Sequence, residues 1–183
     1  MNLFAALLLG HLIGDFPLQT NRIAQSKHEN RMMLVSHVLI HICVTAALLN
    51  NPFDNLLLLC MIGCSHYFID SSRVGVIFNG GARGFLFDQT SHLASLSLIA
   101  SIVVYTPHRL PMNALPTTVL YPALAYGLLL GSMVFGWIWA NETTTTATSH
   151  VRPVYWMRSR MLLLSQRAGV LLLSLIIVAL FTK

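Results

Sequence analysis

Long apolar runs separated by short polar stretches order this chain, and each run predicts a helix. The first extends from about Asn2 to Gln19, where Pro17 ends or kinks it. It has no basic leader, and His11 and Asp15 interrupt it, so it reads as a mature helix rather than a signal peptide. Gly10 and Gly14 form a small-xxx-small pair that predicts close approach of a neighbouring helix. The polar stretch Asn21 to Arg31 leads to a second run, Met32 to Leu49, closed by the turn Asn50-Asn51-Pro52. A third run, from about Leu56 to Ser72, is joined through Asn79-Gly80-Gly81 to a fourth, from about Phe85 to Tyr105. A Pro-containing loop near Pro107 to Pro116 precedes the fifth, from about Val119 to Ala140 and including Pro122. After a Thr-rich loop comes the sixth, from about Met161 to Phe181, which is apolar apart from Gln166 and an Arg167 that can snorkel to the interface.

Runs of this length and Leu content predict an all-α polytopic membrane protein of about six transmembrane helices, and the short alternating strands of a β-barrel are missing. The composition agrees. Of 183 residues, 55% are hydrophobic and 9% charged, against roughly 25% charged in a soluble domain. So little lies outside the runs that residues 1–183 read as one integral membrane domain, with a four-helix core in 1–105 and two further helices in 117–183. The formal net charge of +5 includes no basic run suited to nucleic acid, which leaves the lipid bilayer as the expected partner. With six spans, Arg22, Lys27, Arg31, Arg73, Arg83, Arg152, Arg158 and Arg160 fall on one side and Arg109 and Lys183 on the other. The positive-inside rule puts the first set in the cytoplasm and both termini outside. Cys43, Cys60 and Cys64 lie inside apolar runs and read as small core residues, the last two on a face turned away from His66 and Asp70. Asn141-Glu142-Thr143 fits a glycosylation acceptor, a match too short to use.

Four runs carry polar pairs at i, i+4 spacing: His11 and Asp15, His37 and His41, His66 and Asp70, Asp88 and His92. On a helix this spacing puts both side chains on one face, about one turn apart. The six-span topology places all four pairs at one depth, near the cytoplasmic side. The first and third runs give His-xxx-Asp and the second and fourth give His-xxx-His and Asp-xxx-His, a faint tandem repeat of hairpins. Ionisable groups inside a bilayer are costly and face one another, water or an ion. Three carboxylates at one depth need compensating charge, and two divalent cations with a bridging hydroxide would supply it. Imidazoles and carboxylates without sulfur suit zinc, manganese or iron.

Around the eight, Arg73 stands one turn beyond Asp70, where it would bind a phosphate or carboxylate of a substrate, pair with Asp70, or anchor the topology. Gln19, Thr45 and Gln89 extend or adjoin the pairs as donors able to orient ligands, or as plain polar core residues. His28, His108 and His150 fall in loops and read as surface residues.

His11-xxx-Asp15 with Leu18-Gln19, His37-xxx-His41, His66-xxx-Asp70 and Phe85-Leu86-xxx-Gln89-xx-His92 together resemble the small bacterial and phage membrane proteins grouped as domain of unknown function family 3307. The resemblance covers roughly the first 105 residues. It implies a prokaryotic or phage inner-membrane protein and brings no activity with it. A weaker likeness is to membrane-bound metal-dependent hydrolases, which also place His and Asp pairs on short apolar helices.

The leading functional expectation is therefore a metal-dependent hydrolase of a lipid-like substrate, its two ions held by His11, Asp15, His37, His41, His66, Asp70, Asp88 and His92. Asp15, Asp70 and Asp88 carry the catalytic expectation; with no spare Glu or Asp as a separate base, either a metal hydroxide, bridged by an Asp, is the nucleophile or one of the eight is base rather than ligand. A metal-ion or proton transporter, a di-iron membrane oxidoreductase and a purely structural metal site are the alternatives for the same residues.

Overall fold

A computed structural model describes residues 3–72, 74–77, 80–105, 114–146 and 152–182. The helices among them are α1 (Leu3–Asp15), α2 (Asn21–Ser26), α3 (Arg31–Ala47), α4 (Leu56–Ser71), α5 (Val74–Ile77), α6 (Gly81–Tyr105), α7 (Thr117–Thr146) and α8 (Arg152–Phe181), and the described residues contain no β-strand.

Local chemistry sets several helix ends. α1 stops at Asp15 ahead of Pro17, and the amides of Phe16 and Leu18 close its last turn on the carbonyls of Leu12 and Ile13 at 3.1 Å each. The Asn30 side chain accepts the amides of Met32 and Met33 at 2.9 and 3.4 Å and so starts α3. Before α6, Gly80 and Gly81 have φ of 62° and 56°, in the left-handed region that glycine enters without strain. The freed amide of Ala82 donates to the Glu142 carboxylate of α7 at 3.0 Å.

α1 is the hub. It packs against α3, α6 and α7, while α3 packs on α4, α4 on α6, and α7 along α8. One apolar cluster joins Leu9 and Ile13 of α1 to Leu120, Leu130, Leu172 and Ile176 of the last two helices. The other joins Leu3 and Leu7 to Leu58, Ile62, Leu96 and Ile99 of α4 and α6. A helix apolar on every side is one that is surrounded, and α1 is.

Three stretches are long and apolar enough to cross a membrane: Pro52–Ile77, Thr117–Thr143 and Val154–Phe181. Leu3–Asp15 and Arg31–Ala47 are apolar but shorter. At 1.5 Å per residue the 13 residues of α1 reach about 20 Å, short of a hydrocarbon core of about 30 Å. α6 has the length, at 25 residues, but Arg83, Asp88, Gln89 and His92 dilute its first half.

Three sequence expectations need correction. Cys43, Cys60 and Cys64 are exposed, not core, with the last two sulfurs 3.9 Å apart on the outer face of α4. An apolar run shows that a helix avoids water, but in a membrane protein its outward face meets lipid, so burial does not follow. The Thr run is the end of α7 rather than a loop, and α8 begins at Arg152, well before Met161. The polar stretch after α1 contains the short helix α2, capped by the Thr20 hydroxyl, which accepts the Ile23 amide at 3.3 Å.

Candidate metal centre

The four i, i+4 pairs fall on α1, α3, α4 and α6, and the packing of these helices turns all four inward. His37, His41, Asp70 and His92 are among the most completely buried side chains of the protein. Three sets of donor atoms each lie within 4.8 Å of one another: Asp15, His37, His41 and His66; His11, His66 and His92; Asp70, Asp88 and His92. Every one of the eight residues belongs to a set, and the buried groups can hold a metal ion.

The first set has four members, the other two three each. Asp15 Oδ1 lies 3.2 Å from Nε2 of both His37 and His41 and 3.9 Å from Nε2 of His66, while His37 and His66 bring their Nε2 atoms within 3.2 Å of each other. One imidazole N–H can point at only one partner, so the protons available cannot satisfy this many convergent atoms. A tetrahedral ion with bonds of about 2.0–2.1 Å sets its ligands about 3.3–3.4 Å apart, and the separations here, 3.2–3.9 Å, lie around that value. The His41 and His66 rings stack at 3.7 Å and the His66 and His92 rings at 4.2 Å, continuing the cluster towards α6.

Asp70 faces two ways. Its Oδ2 lies 3.4 Å from His66 Nε2 and 3.5 Å from His37 Nε2, towards the first set, and has no hydrogen-bond partner. Its Oδ1 accepts from Lys27 Nζ at 2.9 Å and lies 3.6 Å from His92 Nε2, a second buried atom without a hydrogen-bond partner.

Lys27 is the residue that the sequence reading missed. It follows the last turn of α2, where its amide donates to Ile23 at 2.8 Å, and its side chain is only 7% exposed. Its ammonium also lies 3.4 Å from His37 Nε2. Burial works against that charge, but the carboxylates of Asp15, Asp70 and Asp88 outweigh it and hold the group above the ordinary lysine value. No periodic signal marks Lys27, because it lies between two apolar runs and its charge fits a topology anchor equally well. The neighbouring His28 is half-buried rather than on the surface, with its Nδ1 3.2 Å from the Asp70 carbonyl. Lys27 and His28 thereby tie the end of α2 to the end of α4.

Gln89, for which the sequence left a ligand-orienting donor or a plain polar core residue open, bonds two of the carboxylates. Its Nε2 donates to Asp15 Oδ2 at 2.8 Å and to Asp88 Oδ2 at 3.3 Å. Carboxylates accept only, so they fix the amide orientation and leave Oε1 facing His11 Nε2 at 3.2 Å. His11 then donates to Gln89. Thr45 is buried behind Gly10, and Gln19, beyond the end of α1, lines a cavity. Arg73, His108 and His150 lie outside the described residues.

That cavity, of about 470 Å³, opens against the cluster at Asp15, Lys27, Asp88 and Gln89. Phe16, Phe85, Val134, Trp137, Ile138 and Leu162 give it apolar walls. Across the cluster, beside His11, His41, His66 and His92, only about 10 Å³ remains, room for at most one water molecule.

Fold and site together define an all-helical protein with membrane-type helices and a buried set of His and Asp side chains that can hold a metal. The chain belongs to the family described as Protein of unknown function (DUF3307), whose model matches residues 3–119. The matched stretch contains the whole cluster and Lys27. No curated protein and no solved structure matches the chain, so the likeness to metal-dependent hydrolases gains no support from a relative.

Proposed function

We propose that the protein is a bacterial inner-membrane metalloenzyme that hydrolyses a lipid-like substrate at a divalent ion held by the His/Asp cluster. The observation that carries the metal is the convergence of donor atoms on Asp15 Oδ1, with the Nε2 atoms of His37 and His41 each at 3.2 Å and that of His66 at 3.9 Å, more contacts than the imidazole protons can serve. Asp15, His37, His41 and His66 are the ligands in this reading, with Asp70 Oδ2 close enough to join them. Zinc, manganese or iron suits this donor set.

The cavity supports hydrolysis. It is large enough for a head group and the first part of a chain, and its mixed lining suits an amphipathic molecule. A bound ion would supply a Lewis acid and lower the pKa of water. Asp88 is the carboxylate that both lines the cavity and remains partly open, its side chain 19% exposed against 0% for Asp70. It is placed to take a proton from water as the water oxygen bonds to a phosphoryl or acyl centre, and to return it to the leaving oxygen or nitrogen as that bond breaks. Gln89 holds Asp15 and Asp88 in mutual register, and Lys27 faces the anionic part of a substrate.

In the same reading all six apolar segments lie in the bilayer, with α1 sheltered by its neighbours, the basic loops cytoplasmic and both termini outside. The cavity of about 470 Å³ beside the cluster gives a substrate room to bind, and that is the feature that supports an enzyme. The test is turnover by metal-loaded protein on phospholipids, polyprenyl phosphates and lipid amides. Activity lost in Asp88→Asn with metal retained supports the reading. No turnover on any class contradicts it, and ion flux into proteoliposomes would put transport in its place.

A further inference from the structure

We propose that the centre takes a single divalent ion, at Asp15, His37, His41 and His66, and that the Lys27 ammonium replaces a second ion beside Asp70, Asp88 and His92. This rests on the metal reading above and settles its stoichiometry.

Geometry comes first. In a two-ion centre a bridging carboxylate gives one oxygen to each ion. Asp70 has that arrangement, with Oδ2 turned to the first donor set, but the atom 2.9 Å from Oδ1 is Lys27 Nζ. The ammonium is not a passing surface group. Its backbone is pinned to Ile23, the adjacent His28 holds the Asp70 carbonyl, and the side chain is 7% exposed.

Charge points the same way. One divalent ion against Asp15 leaves +1, and Lys27 against Asp70 and Asp88 leaves −1, so the buried assembly is neutral. Adding a second divalent ion would leave +2, or +1 with a hydroxide, in a setting where unpaired charge is heavily penalised. Neutrality with two ions and one hydroxide follows only when Lys27 is left out. Its burial beside Asp70 puts it in.

The test is the number of ions bound at saturation, by equilibrium dialysis of the detergent-purified full chain against zinc or manganese. Wild type is expected to hold one per chain, Lys27→Arg one, and Lys27→Met two, because removing the ammonium leaves two carboxylates in need of a cation. Asp88→Asn keeps one and His41→Ala holds none, which decides the matter even if Lys27→Met does not fold. Two ions in wild type, one ion in folded Lys27→Met, or loss of the ion in Asp88→Asn overturns the proposal while leaving a metal centre in place. No ion in folded wild type removes the metal reading itself.

Discussion

A Cβ atom on Gly14 would stand 2.6 Å from both ring nitrogens of His41, so the backbone of α1 lies directly against the His41 imidazole. Gly14→Ala is therefore expected to push His41 out of line with Asp15 and weaken metal binding at least about tenfold. Gly10→Ala, whose tightest contact is the Thr45 hydroxyl at 3.0 Å and which meets no histidine, should bind almost normally. Metal titration of both variants checks this, and equal affinities would show that His41 is not a ligand.

His11 and His41 both point into the cluster, but they should not respond alike. Gln89 Oε1 takes the His11 Nε2 proton, whereas His41 Nε2 faces Asp15 Oδ1 at 3.2 Å. His41→Ala should abolish binding, while His11→Ala should cost about 10–100-fold, the range for residues that orient ligands. The same titration separates them.

Gln89→Leu leaves Asp15 Oδ2 without its 2.8 Å donor and the His11 ring without its acceptor. Metal affinity should fall by about 10–100-fold. Gln89→Glu adds a charge beside Asp15 and Asp88 and should also destabilise the metal-free protein, seen as a lower thermal midpoint in chelator than wild type.

Cys60 and Cys64 lie on the outer face of α4, inside a stretch apolar enough to span the membrane. In intact membranes they should resist a charged, impermeant maleimide and react only once the protein is unfolded in detergent, because the thiolate that attacks a maleimide does not form in hydrocarbon. Rapid labelling by the charged reagent would place α4 at a water-facing surface.

The i, i+4 rule made the candidate site readable, because helical geometry is local and eight side chains on four faces needed only those faces to turn inward. Gly10 and Gly14 likewise announced a close helix contact, and Gly14 supplies one at His41. Lys27 was hidden because its place depends on how the residues after α2 meet the end of α4 at Asp70, a tertiary fact with no period in the sequence. Apolarity could not tell exposed Cys60 from buried Leu59 on the same helix, since both sit in one apolar run. The shortness of α1 was also hidden, because its neighbours rather than its own length shelter it.

The central claim is that the His/Asp cluster is a metal centre, and elemental analysis of detergent-purified wild type beside His41→Ala tests it most directly. The account predicts zinc, manganese or iron bound stoichiometrically in wild type and absent from a folded His41→Ala protein. Folded wild type that stays metal-free after loading with each ion would contradict it, and the cluster would then be a buried polar network organised by Lys27.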